Sequence, residues 1–204
     1  MSFSRSYLPI FTLFALLAAG CGSDGTDDGG NEEEVITTVT MTFTPDVGGP
    51  VVVAAFDDPD GDGGDPPTID NIALSAQSYA LAITFENRLE DPAEDITQEI
   101  ADEDGEHQIF LTGTAVDGPA NEQAGAPLTH TYSDADENGN PVGLVNAIAA
   151  ASGTGILTVT LRHLPPIAGT PQKDAELAAA VRTDGLSSIG GNSDVQVNFD
   201  VTVP

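Results

Sequence analysis

The stretch that decides the fold is VITTVTMTFT, Val35–Thr44. Threonine occupies the even positions from 38 to 44, whereas Val39, Met41 and Phe43 lie between them. Successive side chains of a β-strand point to opposite sides, so this alternation separates a polar face from an apolar one. The pattern predicts a strand whose threonines face water and whose larger side chains enter a core.

The same period of two recurs along the chain, and Gly, Pro, Asn and Asp punctuate it. We predict further strands at Val51–Phe56, Ile69–Leu74, Tyr79–Glu86, His107–Thr114, Leu128–Tyr132, Pro141–Ala149, Ile156–His163 and Val195–Val203. The alanines of Pro141–Ala149 would also suit a helix, but the Asn-Gly and Pro-Val pairs around its start favour a strand.

Helical patterns are few. A short helix is predicted at Lys173–Arg182, within a long excursion that spans Leu164–Asn192, and Asp95–Asp102 fits either one helical turn or an extended segment. Because no long helices alternate with the strands, the pattern argues against a parallel α/β sheet. We predict an all-β fold, an immunoglobulin-like antiparallel β-sandwich of about eight or nine strands with one short helix in a late insertion.

The N-terminus has the features of a bacterial lipoprotein signal. Arg5 precedes the apolar run Tyr7–Ala19, which is shorter than the roughly 20 residues that span a membrane. The one cysteine of the chain, Cys21, follows this run, and the sequence before it resembles a lipobox. We predict a lipoprotein signal peptide at residues 1–20 and lipidation of Cys21. A plain secreted protein with an incidental cysteine is the alternative.

The segment after Cys21 reads GSDGTDDGGNEEE over residues 22–34 and contains no apolar residue. Such a segment cannot pack against a core, so we predict an acidic flexible tether at 21–34. The remaining residues, 35–204, are long enough for a single β-sandwich domain with a real core. Gly22 rather than Asp follows the cysteine, which favours the outer membrane over the inner one.

The chain is strongly acidic, with 33 Asp and Glu against 5 Lys and Arg and a formal net charge of −28. This charge repels nucleic acid and anionic lipid headgroups, and it attracts cations or a basic partner. We therefore expect no nucleic-acid partner. Adaptation to high salt is the alternative explanation for the acidity.

Two loops match the opening of a calcium-binding loop. Asp58, Asp60 and Asp62 follow D-x-D-x-D-G, in which alternate side chains converge on one centre. Position twelve is Ile69 instead of the bidentate Glu of an EF-hand, and Asp65 or Asp70 would have to complete the site.

The second loop, with Asp134, Asp136 and Asn138, follows D-x-D-x-N-G and has Val145 at position twelve. It has no completing acid nearby, so it predicts a weaker calcium site than the first loop. Ordinary turns between strands explain both loops equally well, because Asp, Asn and Gly are common turn residues.

The three histidines, His107, His130 and His163, share the parity of the apolar side chains in their strands. We single out His107 with His163 as a candidate transition-metal pair for zinc or copper, with Glu106 or Asp104 nearby. Buried, hydrogen-bonded histidines at the rim of a sandwich are the alternative.

No nucleophile elbow, zinc-protease motif, phosphate-binding loop or dinucleotide fingerprint occurs in the sequence. We therefore predict that the protein is not an enzyme.

Several segments resemble small lipoproteins of Gram-negative bacteria that carry the label "type 1 periplasmic binding fold superfamily protein". These segments include NEEEVITT (31–38), DPDGDGGDPP (58–67), ENRLEDPAEDITQEI (86–100), GEHQIF (105–110), DADENGNPVGL (134–144) and GILTVTLRH (155–163). The fold that the label names has two doubly wound α/β lobes, whereas the strand pattern here predicts a sandwich. The resemblance implies an envelope lipoprotein, with a role beside a TonB-dependent outer-membrane transporter, and it implies no particular ligand.

Together these observations favour a membrane-anchored binding module of the cell envelope, for a cation or a small ligand. A structural or adhesive surface lipoprotein, whose loops bind calcium only for rigidity, is the alternative.

Overall fold

The computed structural model describes residues 34–61 and 63–204, all of which belong to one compact unit. The predicted signal peptide, Cys21, the predicted tether up to residue 33, and Asp62 lie outside the described residues. Glu34, the last residue of the predicted tether, is described and is half-buried.

Twelve strands and two α-helices make up the described part of the chain. The helices are α1 (Ile96–Asp102) and α2 (Leu177–Asp184), and a 3₁₀ turn follows α2 at Leu186–Ser188. The strands are β1 (Thr38–Pro45), β2 (Val52–Asp57), β3 (Thr68–Ile69), β4 (Ile72–Ala73), β5 (Ser78–Asn87), β6 (Glu94–Asp95), β7 (His107–Thr112), β8 (Val116–Asp117), β9 (Leu128–Tyr132), β10 (Val145–Ala150), β11 (Gly153–His163) and β12 (Asn192–Val203).

The strands form two sheets. The larger sheet has the order β3-β2-β1-β5-β10-β9-β8, with β6 paired to β5, and the smaller sheet has the order β4-β12-β11-β7. All described pairs are antiparallel except the short pairs β4 with β12 and β8 with β9. This arrangement confirms the predicted sandwich-like all-β fold. Eight of the twelve described strands have five residues or more, which agrees with the predicted eight or nine, and the other four have two residues each.

The core lies between the two sheets. Val39, Met41 and Phe43 of β1 are fully buried, as are Leu157 of β11 and Phe199 of β12. Each such side chain contributes about 1.5–3 kcal/mol when it leaves water. The alternation along the strands therefore builds the core directly, since every second residue of β5 and of the C-terminal half of β12 is buried.

The predicted strand Ile69–Leu74 is divided into β3 and β4, which belong to different sheets. Ile69 pairs with Phe56 of β2, and Ile72 pairs with Val201 of β12. The chain therefore passes from one sheet to the other at Asp70 and Asn71.

Asp95–Asp102, for which the sequence allowed a helical turn or an extended segment, contains the helix α1. The described residues therefore have two α-helices, one more than predicted. Ile96 and Ile100 lie four residues apart and are buried, so they share one face of the helix. The Asp95 side chain caps the first turn by accepting from the Thr97 N–H. The Thr97 hydroxyl accepts from the Phe85 N–H at 2.8 Å and donates to the Phe85 carbonyl, which fixes α1 on β5.

The predicted late helix forms as α2, but it begins at Leu177 instead of Lys173 and ends at Asp184 instead of Arg182. Together with the chain around it, α2 covers the outer face of the β7 edge, where Phe110, Leu164, Leu177 and Val181 form a second, smaller core. Arg162 of β11 binds this excursion by donating to the carbonyls of Ile189 and Gly190 and to the Ser193 hydroxyl.

Candidate metal centre

His107 and His163 lie side by side at one end of the smaller sheet. His107 is the first residue of β7, His163 is the last residue of β11, and the two are direct cross-strand partners. Their rings are stacked with a centroid distance of 4.5 Å and an angle of 12° between the planes. His107 is 0% exposed and His163 is 6% exposed. The structure thus brings together the pair that the sequence singled out.

The tautomer of His107 follows from its hydrogen bond. Its Nδ1 lies 3.2 Å from the backbone carbonyl oxygen of Glu103. A carbonyl oxygen can only accept, so Nδ1 carries the hydrogen and Nε2 carries the lone pair. Nε2 is buried and has no hydrogen-bond partner. An Nδ1–H bound to a backbone carbonyl, with Nε2 available, is the usual arrangement of a metal-binding histidine.

His163 also has a buried ring nitrogen, Nδ1, without a hydrogen-bond partner. Its other nitrogen, Nε2, lies 3.8 Å from the Oε2 atom of Glu106, which is beyond hydrogen-bond range. Leaving buried polar atoms without partners costs free energy, typically about 1–3 kcal/mol each. Two such atoms on stacked rings therefore destabilise the folded protein unless a bound group becomes their partner.

Glu103 is the third member of the group. It is the C-cap residue of α1 and lies four residues before His107. Candidate ligand atoms of Glu103, His107 and His163 all lie within 4.8 Å of one another, and no other such group of three His, Cys, Asp or Glu occurs in residues 34–61 and 63–204. Tetrahedral zinc, with bonds of about 2.0–2.2 Å, needs ligand atoms about 3.3 Å apart. One ring must therefore turn out of the stack to bind the same ion as the other.

The protonation state of His107 suits a ligand. Burial lowers the pKa of His107 to about 4, and the charges of His163 and Lys173 act in the same direction, against the hydrogen bond with Glu103. The imidazole is therefore neutral near pH 7, as metal binding requires.

Further carboxylates surround the group. Glu99 precedes Glu103 by one turn of α1. Asp194 is an extra residue in β12, because Leu161 pairs with Val195 while Arg162 pairs with Ser193. A β-bulge re-aims the side chain of its extra residue, and both carboxylate oxygens of Asp194 are shielded from solvent.

Glu34 joins these carboxylates from the N-terminal side and forms a side-chain hydrogen bond with Glu99. Burial raises the pKa of Glu34 to about 7, and the charges of Glu99, Glu103 and Asp194 act in the same direction.

Of the first predicted calcium loop, the structure describes Asp58, Asp60 and Asp65. Asp60 accepts from the backbone N–H of Asp65 at 3.2 Å, and the Asp58 carbonyl accepts from the Gly61 N–H at 3.1 Å. Among the described residues, neither Asp58, Asp60 nor Asp65 belongs to a group of three candidate ligands, and Asp62 lies outside them. Calcium binding at this loop stays a prediction.

The second predicted calcium loop binds an ammonium group of the chain itself. The Nζ atom of Lys173 lies 3.3 Å from Asp136 Oδ2, and these side chains are 0% and 1% exposed. Burial lowers the pKa of Lys173, while the charge of Asp136 raises it. Lys173 also donates to the Asp104 carbonyl.

The other carboxylate oxygens of Asp134 and Asp136 accept from backbone N–H groups of the same loop. Asp136 Oδ1 accepts from the N–H groups of Asn138 and Asn140, and Asp134 accepts from those of Gly143 and Val145. Asp134 therefore stabilises the turn and Asp136 pairs with Lys173, whereas calcium binding at Asp134, Asp136 and Asn138 stays a prediction.

His130 is the third buried histidine, and its Nδ1 atom is likewise buried without a hydrogen-bond partner. Its Nε2 atom lies 2.9 Å from Asn146 Oδ1, and its ring packs edge-on against Tyr132. It lies on β9 of the larger sheet, outside the group formed with Glu103.

Sequence reasoning named Glu106 and Asp104 as acids near the histidines, but it missed Glu103, Glu34 and Asp194. Glu103 was identifiable in principle, because it sits at i−4 from His107 at the end of a possible helix. Glu34 and Asp194 carry no such signal, since their position depends on the packing of distant segments.

Comparison of the chain with family models, with curated proteins and with solved structures gives no significant match. Within residues 34–61 and 63–204, no helix has both the length and the apolar character needed to cross a membrane.

Proposed function

We propose that this protein is a non-enzymatic metal-binding module of the cell envelope, and that it binds a divalent transition ion, zinc foremost, at Glu103, His107 and His163. The observation that carries the proposal is the pair of buried histidine nitrogens, without partners, beside a carboxylate. An ion bound through these nitrogens would supply the partners that they lack.

The donor set supports zinc in particular. Two imidazole nitrogens and one carboxylate are ligands that zinc binds readily, whereas calcium and magnesium prefer oxygen alone. Copper(II) also binds imidazole and is the competing ion. The net charge of −28 raises the local concentration of any cation around the molecule.

The envelope location is the second part of the proposal and rests on the N-terminal sequence. A lipid on Cys21 would hold the domain at the outer membrane through residues 22–34. A metal-binding module in this place would suit a role beside an outer-membrane transporter, as the resemblance to Gram-negative lipoproteins implies.

The test is a zinc titration of the purified protein, followed by calorimetry, with the variants His107→Gln and His163→Gln. We expect each variant to bind zinc at least about tenfold more weakly, because each removes one of three ligands. His130→Gln is the matched control, since it also replaces a buried histidine of a β-strand. Equal affinity in the wild type and in all three variants would overturn the proposal.

A further inference from the structure

We propose that Glu106 is a positioning residue of this metal centre. Its carboxylate accepts the hydrogen on Nε2 of His163, so that His163 binds the ion through Nδ1 while His107 binds it through Nε2. The inference rests on the proposed function, because it needs an ion beside the two histidines. It assigns the ligand atom of each ring, which the identity of the residues alone leaves open.

The carboxylate of Glu106 faces one particular nitrogen of His163. Its Oε2 atom lies 3.8 Å from Nε2. An ionised carboxylate can only accept a hydrogen bond, and a neutral imidazole, the form that binds metal, has one N–H and one lone pair. The hydrogen is therefore favoured on Nε2, and the lone pair falls on Nδ1. That Nδ1 atom is buried and has no hydrogen-bond partner.

The two rings show the same division of roles. In His107, Nδ1 lies 3.2 Å from the Glu103 carbonyl oxygen, and Nε2 is the buried nitrogen without a partner. Each ring thus directs one nitrogen at an oxygen of the protein and leaves the other available. A metal-binding histidine typically donates its second N–H to a carboxylate or a backbone carbonyl, which fixes its tautomer. Glu106 supplies the carboxylate, and Glu103 supplies the carbonyl.

The backbone of Glu106 is fixed beside the end of β11. Its N–H donates to the Glu103 carbonyl at 2.9 Å, and its carbonyl accepts from the Leu164 N–H at 2.6 Å. Leu164 directly follows His163, so this second bond continues the pairing of β7 with β11 past the two histidines. Both bonds belong to the main chain, so replacing the Glu106 side chain leaves them in place.

The distance from Glu106 to His163 has to shorten to about 2.7–3.2 Å for a hydrogen bond. Metal binding requires a movement at the same place, because one ring must leave the stack. His107 is fully buried and is held by the Glu103 carbonyl. The side chain of Glu106 is 38% exposed and has room to follow the His163 ring. We therefore infer that His163 is the ring that turns and that its bond to Glu106 forms as the ion binds.

The first experiment is a zinc titration of the wild type, Glu106→Ala and Glu106→Gln. We expect Glu106→Ala to bind zinc about tenfold more weakly or worse, as is typical when the partner of a metal-binding histidine is lost. Glu106→Gln should fall between the two, because its amide oxygen can still accept from Nε2–H. Glu90→Ala removes an exposed carboxylate of the loop after β5, and this matched control should bind zinc as the wild type does.

The second experiment identifies the ligand atoms by ¹⁵N NMR of protein with labelled histidines. In the zinc-bound wild type, we expect His163 to keep its hydrogen on Nε2 and to bind through Nδ1, and His107 to show the opposite arrangement. Zinc on Nε2 of His163, or unchanged zinc affinity in Glu106→Ala, would overturn the role of Glu106 and leave the metal centre standing. If the wild type binds no zinc, both proposals fail together.

Discussion

At the scale of single residues, some buried polar groups of the structure have hydrogen-bonding or charged partners and others have none. The ammonium of Lys173 is fully enclosed but has Asp136 and the Asp104 carbonyl as partners. One ring nitrogen of each of His107 and His163, Nε2 and Nδ1 respectively, is enclosed without a partner. The first arrangement is complete as it stands, whereas the second is the basis of the proposed metal centre.

Replacing Lys173 by Met tests the first arrangement. The variant leaves the carboxylate of Asp136 buried without its cation, so we expect the free energy of unfolding in urea to fall by about 3–5 kcal/mol. Arg182→Ala is the control, because it breaks the exposed pair with Glu122 and should cost less than about 1 kcal/mol. The double variant Lys173→Met with Asp136→Asn should regain part of the loss. A loss in Lys173→Met no larger than in Arg182→Ala would refute the internal-cation interpretation.

At the scale of elements, the sequence predicted the strands well because their period of two is local. It predicted β1, β5, β11 and β12 from alternation alone, and these strands supply most of the core. It could not predict that Ile69–Leu74 would be divided between sheets, because a two-residue strand leaves no periodic signal.

The candidate site was predictable only in part for the same reason. The parity of His107 and His163 placed both on the apolar face, but their pairing depends on the register of β7 with β11. Glu103 depends on α1, whose sequence allowed two conformations. Glu34 depends on the segment before β1 and Asp194 on a bulge, and both are set by tertiary packing.

The position of α1 on β5 provides a prediction at this scale. Thr97→Val should cost about 1–3 kcal/mol in the free energy of unfolding, because the Phe85 N–H and carbonyl lose their partner. It should also weaken zinc binding, since Glu103 lies at the C-terminus of the same helix. Thr84→Val, on the exposed face of β5, is the control and should change neither quantity. Unchanged stability and zinc affinity in Thr97→Val would show that the bond to β5 does not position α1.

At the scale of the whole molecule, the proposal combines two features, the negative net charge of the chain and the predicted lipid anchor on Cys21. A net charge of −28 concentrates cations near the surface, and a lipid on Cys21 would keep that surface at the membrane. We expect the chain isolated from its native membrane to lack residues 1–20 and to carry a fatty-acylated Cys21, as judged by mass spectrometry. A chain that retains its first twenty residues would contradict the anchor.

The alternative function is a structural or adhesive lipoprotein with calcium-rigidified loops. It predicts that calcium stabilises the protein against unfolding more than sodium does. Unfolding can be compared in sodium salt and in millimolar calcium at equal ionic strength. If the acidic surface only needs screening, total ionic strength alone sets the stability. A specific gain from calcium would favour sites such as Asp58, Asp60 and Asp65 over general screening.

The coordination of zinc bound to the purified protein tests the central claim most directly, and X-ray absorption at the zinc edge measures it. We predict one zinc per chain with two imidazole nitrogens at about 2.0–2.1 Å, falling to one imidazole in His163→Gln. A zinc ion surrounded by oxygen alone, or the same spectrum in His163→Gln and in the wild type, would contradict the claim that His107 and His163 form the metal centre.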